Sequence, residues 1–299
     1  MSFTLTLNSS NVVGANNNTY QYQFISGGFH AKEMEIAVSA LTIPYAWFNI
    51  TQAYNNNTIT IVFPTNTGTY TLSIVLPDGF YLVSDINQYI ELQCYNLGLY
   101  LTNTTSGQPT YFFQVFSNTT YYTNQILLSL IPSFSNYAAS GYTLPLTGIW
   151  SPTGVGLPSS SSTPSFTLAS TGSLSTILGF ATGTYPSSTT VSQSLSSTLT
   201  PIGSTVNALV LRCNLVSNNV AVPSDVLDLV PINSTFGSNI TYNPQFPKWI
   251  KLRDGIYNTA IFTFNDQNFN TLISKDPHIA LTILIRKKQI GIFPDDSKR

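Results

Sequence analysis

The sequence predicts an all-β protein: a single eight-stranded jelly-roll sandwich spanning residues 1–299, with one helix in a connection and several long loops. Three observations predict it. Apolar and polar residues alternate in short runs along much of the chain, and turns rich in Asn, Gly, Ser and Thr bound those runs. Only one long stretch, "LPDGFYLVSDINQYIELQCYNLG" (76–98), abandons the period of two for a helical one.

The ribbons, lettered B to I, follow in order. Met34, Ile36 and Val38 alternate with Glu33, Glu35 and Ala37 in B, and Ile59, Ile61 and Phe63 alternate with Thr58, Thr60 and Val62 in C. After the turn "TNTG", Tyr70, Leu72, Ile74 and Leu76 form D. "TYFFQVF" and "NQILLSLI" flank "SNTT" as a second hairpin, E and F. "NALVLRCNLV", "NTAIFTF" and "HIALTILIR" supply G, H and I.

In a jelly roll the connections BC, DE, FG and HI gather at one end. The helical stretch is therefore the DE connection. Ser84 suits its N-cap, Asp85 places a carboxylate in the first turn, and Gly98 can take the left-handed position after the last turn. Ile86, Ile90, Cys94 and Leu97 form its apolar stripe, which covers core rather than gripping a ligand. A second short helix is expected in "GSLSTILGF", preceded by Ser170 or Thr171 and ended by Gly179. It lies in the Ser/Thr/Gly/Pro-rich FG segment, 133–206, read as loops draped on the barrel, with a small inserted domain as the alternative.

Charge is scarce. Asp, Glu, Lys and Arg make up 8% of the chain, against roughly a quarter in ordinary soluble domains. None of them occurs between Glu91 and Arg212, and of the eleven basic residues only Lys32 precedes Arg212. Such a surface suits a subunit that is packed against others, although a long loop region would read the same way. The net charge of -1, with the bases of "ILIRKKQ" and "SKR" near Asp295 and Asp296, argues against nucleic-acid binding. No stretch approaches the roughly 20 apolar residues of a membrane span. The polar start "MSFTLTLNSS" does not read as a signal peptide, so synthesis inside the cell is expected.

Catalytic groups are hard to assemble. His30 and His278 are the only histidines, too few for the several ligands of a barrel metal site. Cys94 and Cys213 are expected to be buried free thiols. Glu33 and Glu35 read as solvated on the outer face of B, and Asp78 in "PDG" and Asp254 in "RDG" as turn residues, so no pair of acids for sugar hydrolysis stands out. No phosphate loop or nucleophile elbow occurs. No catalytic, metal or cofactor residues are therefore assigned, and the expectation is a protein that is not an enzyme. Sequons at Asn49, Asn56, Asn103, Asn118 and Asn239 follow from composition.

Several phrases, taken in order, carry a resemblance: "EIAVSALTIPYAWFNIT", "YNNNTITIVF", "YTLSIVLPDGFYLVSDINQYIE", "STILGFATGTYP", "ALVLRCNLVSNN" with "PSDVLDLVPI", and "YNPQFPKWIKLRDGIYNTAIFTFNDQNFNTL". Together they resemble the minor capsid, or penton, proteins of virophages and polinton-like viruses, from about residue 31 to 288. The resemblance implies a non-enzymatic virion protein made in the host cytoplasm, a homopentamer at each icosahedral vertex, beside double-jelly-roll major capsid trimers. Direct contact with nucleic acid or membrane is not expected of it. Some relatives carry an inserted domain; this sequence shows no clearly folded one. Trp47, Tyr54, Phe112 and Phe116 are candidate anchors of the ring contact. A carbohydrate- or receptor-binding sandwich is the alternative, its seventeen Tyr and eighteen Phe offering stacking faces; a sandwich-fold hydrolase is a third reading.

Overall fold

Residues 2–25 and 27–288 are described by a computed structural model, in which the chain divides into two compact units. One is discontinuous, running to Trp47 and resuming at Val206; the other, Phe48–Thr205, is inserted in it. The principal elements are β1 (Ser2–Asn8), β2 (Thr19–Gln23) and β3 (Met34–Pro44), followed in the inserted unit by β4 (Asn56–Thr65), β5 (Gly68–Val75) and α1 (Val83–Leu97). That unit continues with β6 (Phe113–Asn118), β7 (Thr123–Leu128), β8 (Ser165–Leu168), α2 (Ser175–Leu178) and β9 (Gln193–Ser196). The chain then returns through β10 (Ala208–Cys213), β11 (Val226–Pro231), β12 (Asn239–Tyr242), β13 (Thr259–Asp266) and β14 (Ala280–Lys287).

In the discontinuous unit one sheet runs β1-β14-β3-β12 and the other β11-β10-β13-β2. Counting the eight strands named for that unit from one to eight and leaving aside its shorter ones, the orders are 1-8-3-6 and 5-4-7-2, those of two interleaved Greek keys in a jelly roll. Alternation sets the register. Leu5 pairs with Ile283 and Leu7 with Leu281 across β1 and β14, while Ile283 and Ile285 stand opposite Val38 and Ile36 across β14 and β3. All of these are buried, so a one-residue slip would turn the whole row to solvent. In the second sheet Leu211 pairs with Phe264 and Phe262 with Tyr20, both rows buried.

The all-β class holds, but the pairing corrects the single sandwich drawn from sequence. Ribbons B, G, H and I fall in the discontinuous unit, as β3, β10, β13 and β14, whereas C, D, E and F fall in the inserted unit, as β4 to β7. Among the described residues no sheet takes strands from both units. Alternation reports that a strand is half-buried; it does not report its partner, and partners such as Leu5 and Ile283 lie almost a whole chain apart. Two of the strands that complete the sandwich were unreadable for a related reason: β2 and β12 each bury one residue, Tyr20 and Ile240, which defines no period. The division at Phe48–Thr205 also differs from the expected 133–206 segment and supplies the folded insertion the sequence did not show. Ser/Thr/Gly/Pro-rich composition marks short strands and loops, not a boundary. Counted on the sandwich that forms, the insertion with its helix joins the third strand to the fourth, not the ribbons lettered D and E, which both lie inside the inserted unit.

The inserted unit has its own core, in which Ile59, Ile61 and Phe63 of β4 meet Leu72 and Ile74 of β5, Phe113 and Val115 of β6, and Phe166 of β8. Ile86, Ile90 and Cys94 of α1 are buried there as expected, with Leu97 half-buried. The helix begins two residues before the predicted cap: Leu82 is the N-cap, and the Asp85 carboxylate reaches back to accept from the Leu82 N–H at 2.8 Å. Gly98 ends it at φ 64°, where a Cβ would sit 2.4 Å from the Thr147 carbonyl oxygen, so both conformation and space require glycine. The second helix is a single turn, α2, ended by Gly179 as predicted. Ser170 and Thr171 do not cap it, because Gly172–Ser173 pairs with β4 as a short strand.

Candidate functional site

An open groove of about 780 Å³ lies on the inserted unit beside the start of α1 and shares lining residues with a smaller one of about 230 Å³. Its walls come from Tyr81, Leu82 and Val83 on one side and Phe116 on the other, with Val115 and Ile177 between. Local sequence explains why it keeps its shape. Asn49 is buried and its side-chain amide donates to the carbonyls of Tyr81 (2.8 Å) and Gly203 (2.7 Å), while its oxygen accepts from the Tyr81 N–H (2.8 Å). One amide thus ties three segments of the rim and cannot carry a glycan, whatever its sequon. The α1 flank is fastened to the edge of β6, where the Val115 N–H donates to the Asn87 side-chain oxygen at 2.7 Å.

Chemically the groove is bland. Glu91 is the only carboxylate among its lining residues, and it accepts from the amides of Asn87 (2.9 Å) and Gln114 (3.3 Å). Burial, then the nearby Tyr89, Asp78 and Asp85, push the Tyr81 hydroxyl up from its ordinary value, away from ionisation near neutrality. No acid and base face one another there. The arrangement can receive an apolar side chain or a segment of a partner.

Beyond the groove, the inserted unit displays large apolar side chains on a nearly uncharged surface. Leu92 and Tyr95 are exposed on α1, and Tyr121 and Tyr122, 75% and 73% exposed, stand on the β6–β7 turn. Tyr95 stacks on Tyr100 with centroids 5.0 Å apart, and Tyr111 stands 6.3 Å beyond. The adjacent tyrosines of "NTTYYTN" were the readable signal for that turn, since neither side chain of a turn tip has a core to enter.

The carboxylates of the discontinuous unit are occupied structurally. Asp228, buried, accepts from Lys248 Nζ and the Tyr242 hydroxyl, each at 2.8 Å. Asp225 takes the Arg212 guanidinium through two contacts, 3.1 and 2.8 Å. Asp266 organises a turn, accepting from the N–H groups of Asn268 and Asn270. The turn residues do more than turn: Asp254 accepts from the Glu33 N–H at 3.0 Å, and Asp78, in the inserted unit, from the Gln52 N–H at 2.8 Å. Glu35 departs from the solvated reading; it is half-buried and receives Arg286 at 3.2 Å, whose guanidinium lies 3.8 Å over the Trp249 ring.

His30 and His278 are exposed, the latter 2.6 Å from Asp276. Cys94 and Cys213 are buried and free, and desolvation pushes each thiol up to about 12. Among the described residues no group of three or more His, Cys, Asp or Glu is placed to hold a metal ion. Of the four proposed anchors, two are corrected: Trp47, stacked 4.4 Å from Tyr45, and Phe112, edge-on to Trp150, are buried in the cores of their units. Phe116 is exposed in the groove wall and Tyr54 is half-buried. Asp295, Asp296 and the terminal "SKR" lie outside the described residues.

No protein-family model matches the chain, and no curated protein matches it by sequence. Solved structures do align with it, among them two that cover nearly its whole length. One is the penton protein of mavirus, 9% identical, covering 96% of this chain and 100% of that one with a TM-score of 0.46. The other is a chain of the cryo-EM structure of the Sputnik virophage, 12% identical, covering 96% and 98% with a TM-score of 0.39.

Proposed function

We propose that the chain is a structural protein of an icosahedral viral capsid, forming the vertex as a homopentamer beside trimers of a double-jelly-roll major capsid protein. The observation that carries this reading is the inserted unit's surface: exposed Leu82, Leu92, Tyr95, Phe116, Tyr121 and Tyr122 in a unit with three acids, Asp78, Asp85 and Glu91, and no Lys or Arg. Apolar side chains left on a surface without charge to keep it apart from its neighbours suit a contact that is covered in an assembly. A closed ring supplies such a cover, because each subunit meets the next through two different flanks. The ordered sequence phrases point to the same role.

Mass measurement across a concentration series tests it, alone and with the major capsid protein. Particles of five times the 32.7 kDa chain mass, with five-fold class averages by electron microscopy, are expected. Monomers under every condition would sink the reading. The carbohydrate-binding alternative has one specific feature in its favour, the Tyr95, Tyr100 and Tyr111 cluster. Tyr95 and Tyr100 spend one face each on one another, which leaves less platform for a sugar; glycan-array binding lost in Tyr111→Ala would favour that alternative.

A further inference from the structure

The charge missing from the inserted unit is concentrated at one end of a sheet in the discontinuous unit. Lys287 of β14 pairs in register with Met34 and Arg286 with Glu35, at the start of β3. On the other side of β3, the short strand Ile250–Lys251 places Lys251 opposite Glu35. The Lys288 N–H donates to the Glu33 carbonyl, the Leu252 N–H to that of Met34, and Lys32 immediately precedes. Neighbouring strands stand about 4.8 Å apart, so the backbones of the three adjacent strand ends lie within about 10 Å of one another across the sheet. Lys32, Lys251, Arg253, Arg286, Lys287 and Lys288 gather there against Glu33, Glu35 and Asp254.

Arg286 is spent on Glu35. The other five cations are exposed, and among the described residues none of them has a carboxylate within ion-pair distance. We infer that this end of the sandwich is a polyanion-binding surface whose partner is the phosphate backbone of duplex nucleic acid, bound without regard to sequence. The whole-chain charge of -1 conceals it, because nine of the twelve acids lie elsewhere along the sequence.

Three features favour a duplex backbone. The cations are mostly lysines on long stems, which follow closely spaced phosphates without a fixed fork geometry. Trp249 already carries Arg286 on its ring, so it is not a free platform for an unstacked base. The acids of a second copy's inserted unit are poor rivals, since Asp78, Asp85 and Glu91 already accept from Gln52, Leu82, and Asn87 and Gln114.

The test is fluorescence anisotropy of the full chain with a labelled 30-base-pair duplex between 50 and 200 mM NaCl. Five phosphate contacts give a log–log slope of about -4.5, a loss of affinity of about 500-fold over that range. The quadruple variant Lys32→Gln, Lys251→Gln, Lys287→Gln, Lys288→Gln should melt like the parent and lower the slope to about -1, while Lys275→Gln should change nothing. No duplex binding at 50 mM NaCl, or binding undiminished in the quadruple variant, overturns the inference. Equal affinity for polyglutamate, tighter binding of a single strand of the same length, or preference for phosphatidylserine vesicles overturns it in favour of an acidic protein, a stacking site or a membrane. Particle mass is measured on the same samples, so failure of this inference is distinguishable from failure of the pentamer.

Discussion

The two units solve the same burial problem with opposite materials. The discontinuous unit closes its sheets by pairing distant segments, Ser2 against Arg286 at the extreme, and holds nearly all of the chain's charge. The inserted unit is assembled largely from neighbours in sequence, the β4–β5 and β6–β7 hairpins with α1 against β6, and contains no basic residue. Long-range closure tolerates charge because the strand ends and outer faces stay wet. The locally built unit satisfies its polar groups with Asn, Ser and Thr instead, and so keeps a surface that little opposes covering.

The largest effect that would break this comparison is expected at Ile283, buried between Leu5 and Val38 in the register of both neighbouring strands. Ile283→Asp should abolish folding of the discontinuous unit, since an unpaired carboxylate there costs more than about 4 kcal/mol. Recovery of soluble protein with a cooperative melt would show that the sheet faces are misassigned. Next is Phe166→Ala in the inserted unit, where the ring meets Phe113, Phe180 and Tyr185 with centroids 5.7, 5.8 and 5.2 Å away. A loss of about 3–5 kcal/mol is expected, seen as new protease cleavage confined to 48–205. Cleavage spread evenly over the chain would mean that the units do not open separately.

Each unit carries one buried thiol, Cys94 in the inserted unit and Cys213 in the discontinuous one, which makes pH a third probe. Each folded-state thiol is raised from 9.0 to about 12, chiefly by burial. Between those values the unfolded chain releases the proton and the folded chain keeps it, so stability is intact below pH 9 and falls above it, by up to about 1.4 kcal/mol per pH unit per thiol. Native protein at pH 8 should resist a thiol reagent at both positions, and the cysteine labelled first as pH rises should identify the unit that opens first. Labelling of both at pH 8 would contradict the burial.

What could be read from the sequence divides along the same line. The hairpins, the α1 stripe of Ile86, Ile90 and Cys94, and Gly98 were legible because each depends on residues within a turn or two. The partner of Leu5 was not, because nothing local in "FTLTL" points to residue 283. The groove was illegible for another reason: Asn49 looks like a surface sequon, and only the approach of Tyr81 and Gly203 turns it into a buried fastener. The basic end was invisible to any count of charge along the chain, since strand register alone brings Lys32, Lys251 and Lys287 together.

The smallest expected effect sharpens the contrast in charge. Glu35→Gln keeps an acceptor for Arg286 but removes the charge from a half-buried pair, so the discontinuous unit should lose about 1 kcal/mol, more than a freely solvated glutamate would cost. High salt should weaken the same pair in the parent by screening it. The inserted unit has no base with which to form an ion pair, and its protease resistance should be unmoved by either change. If 1 M NaCl loosened the inserted unit as much as the discontinuous one, electrostatics would not be what separates them, and the contrast between a charged unit and an uncharged one would fail.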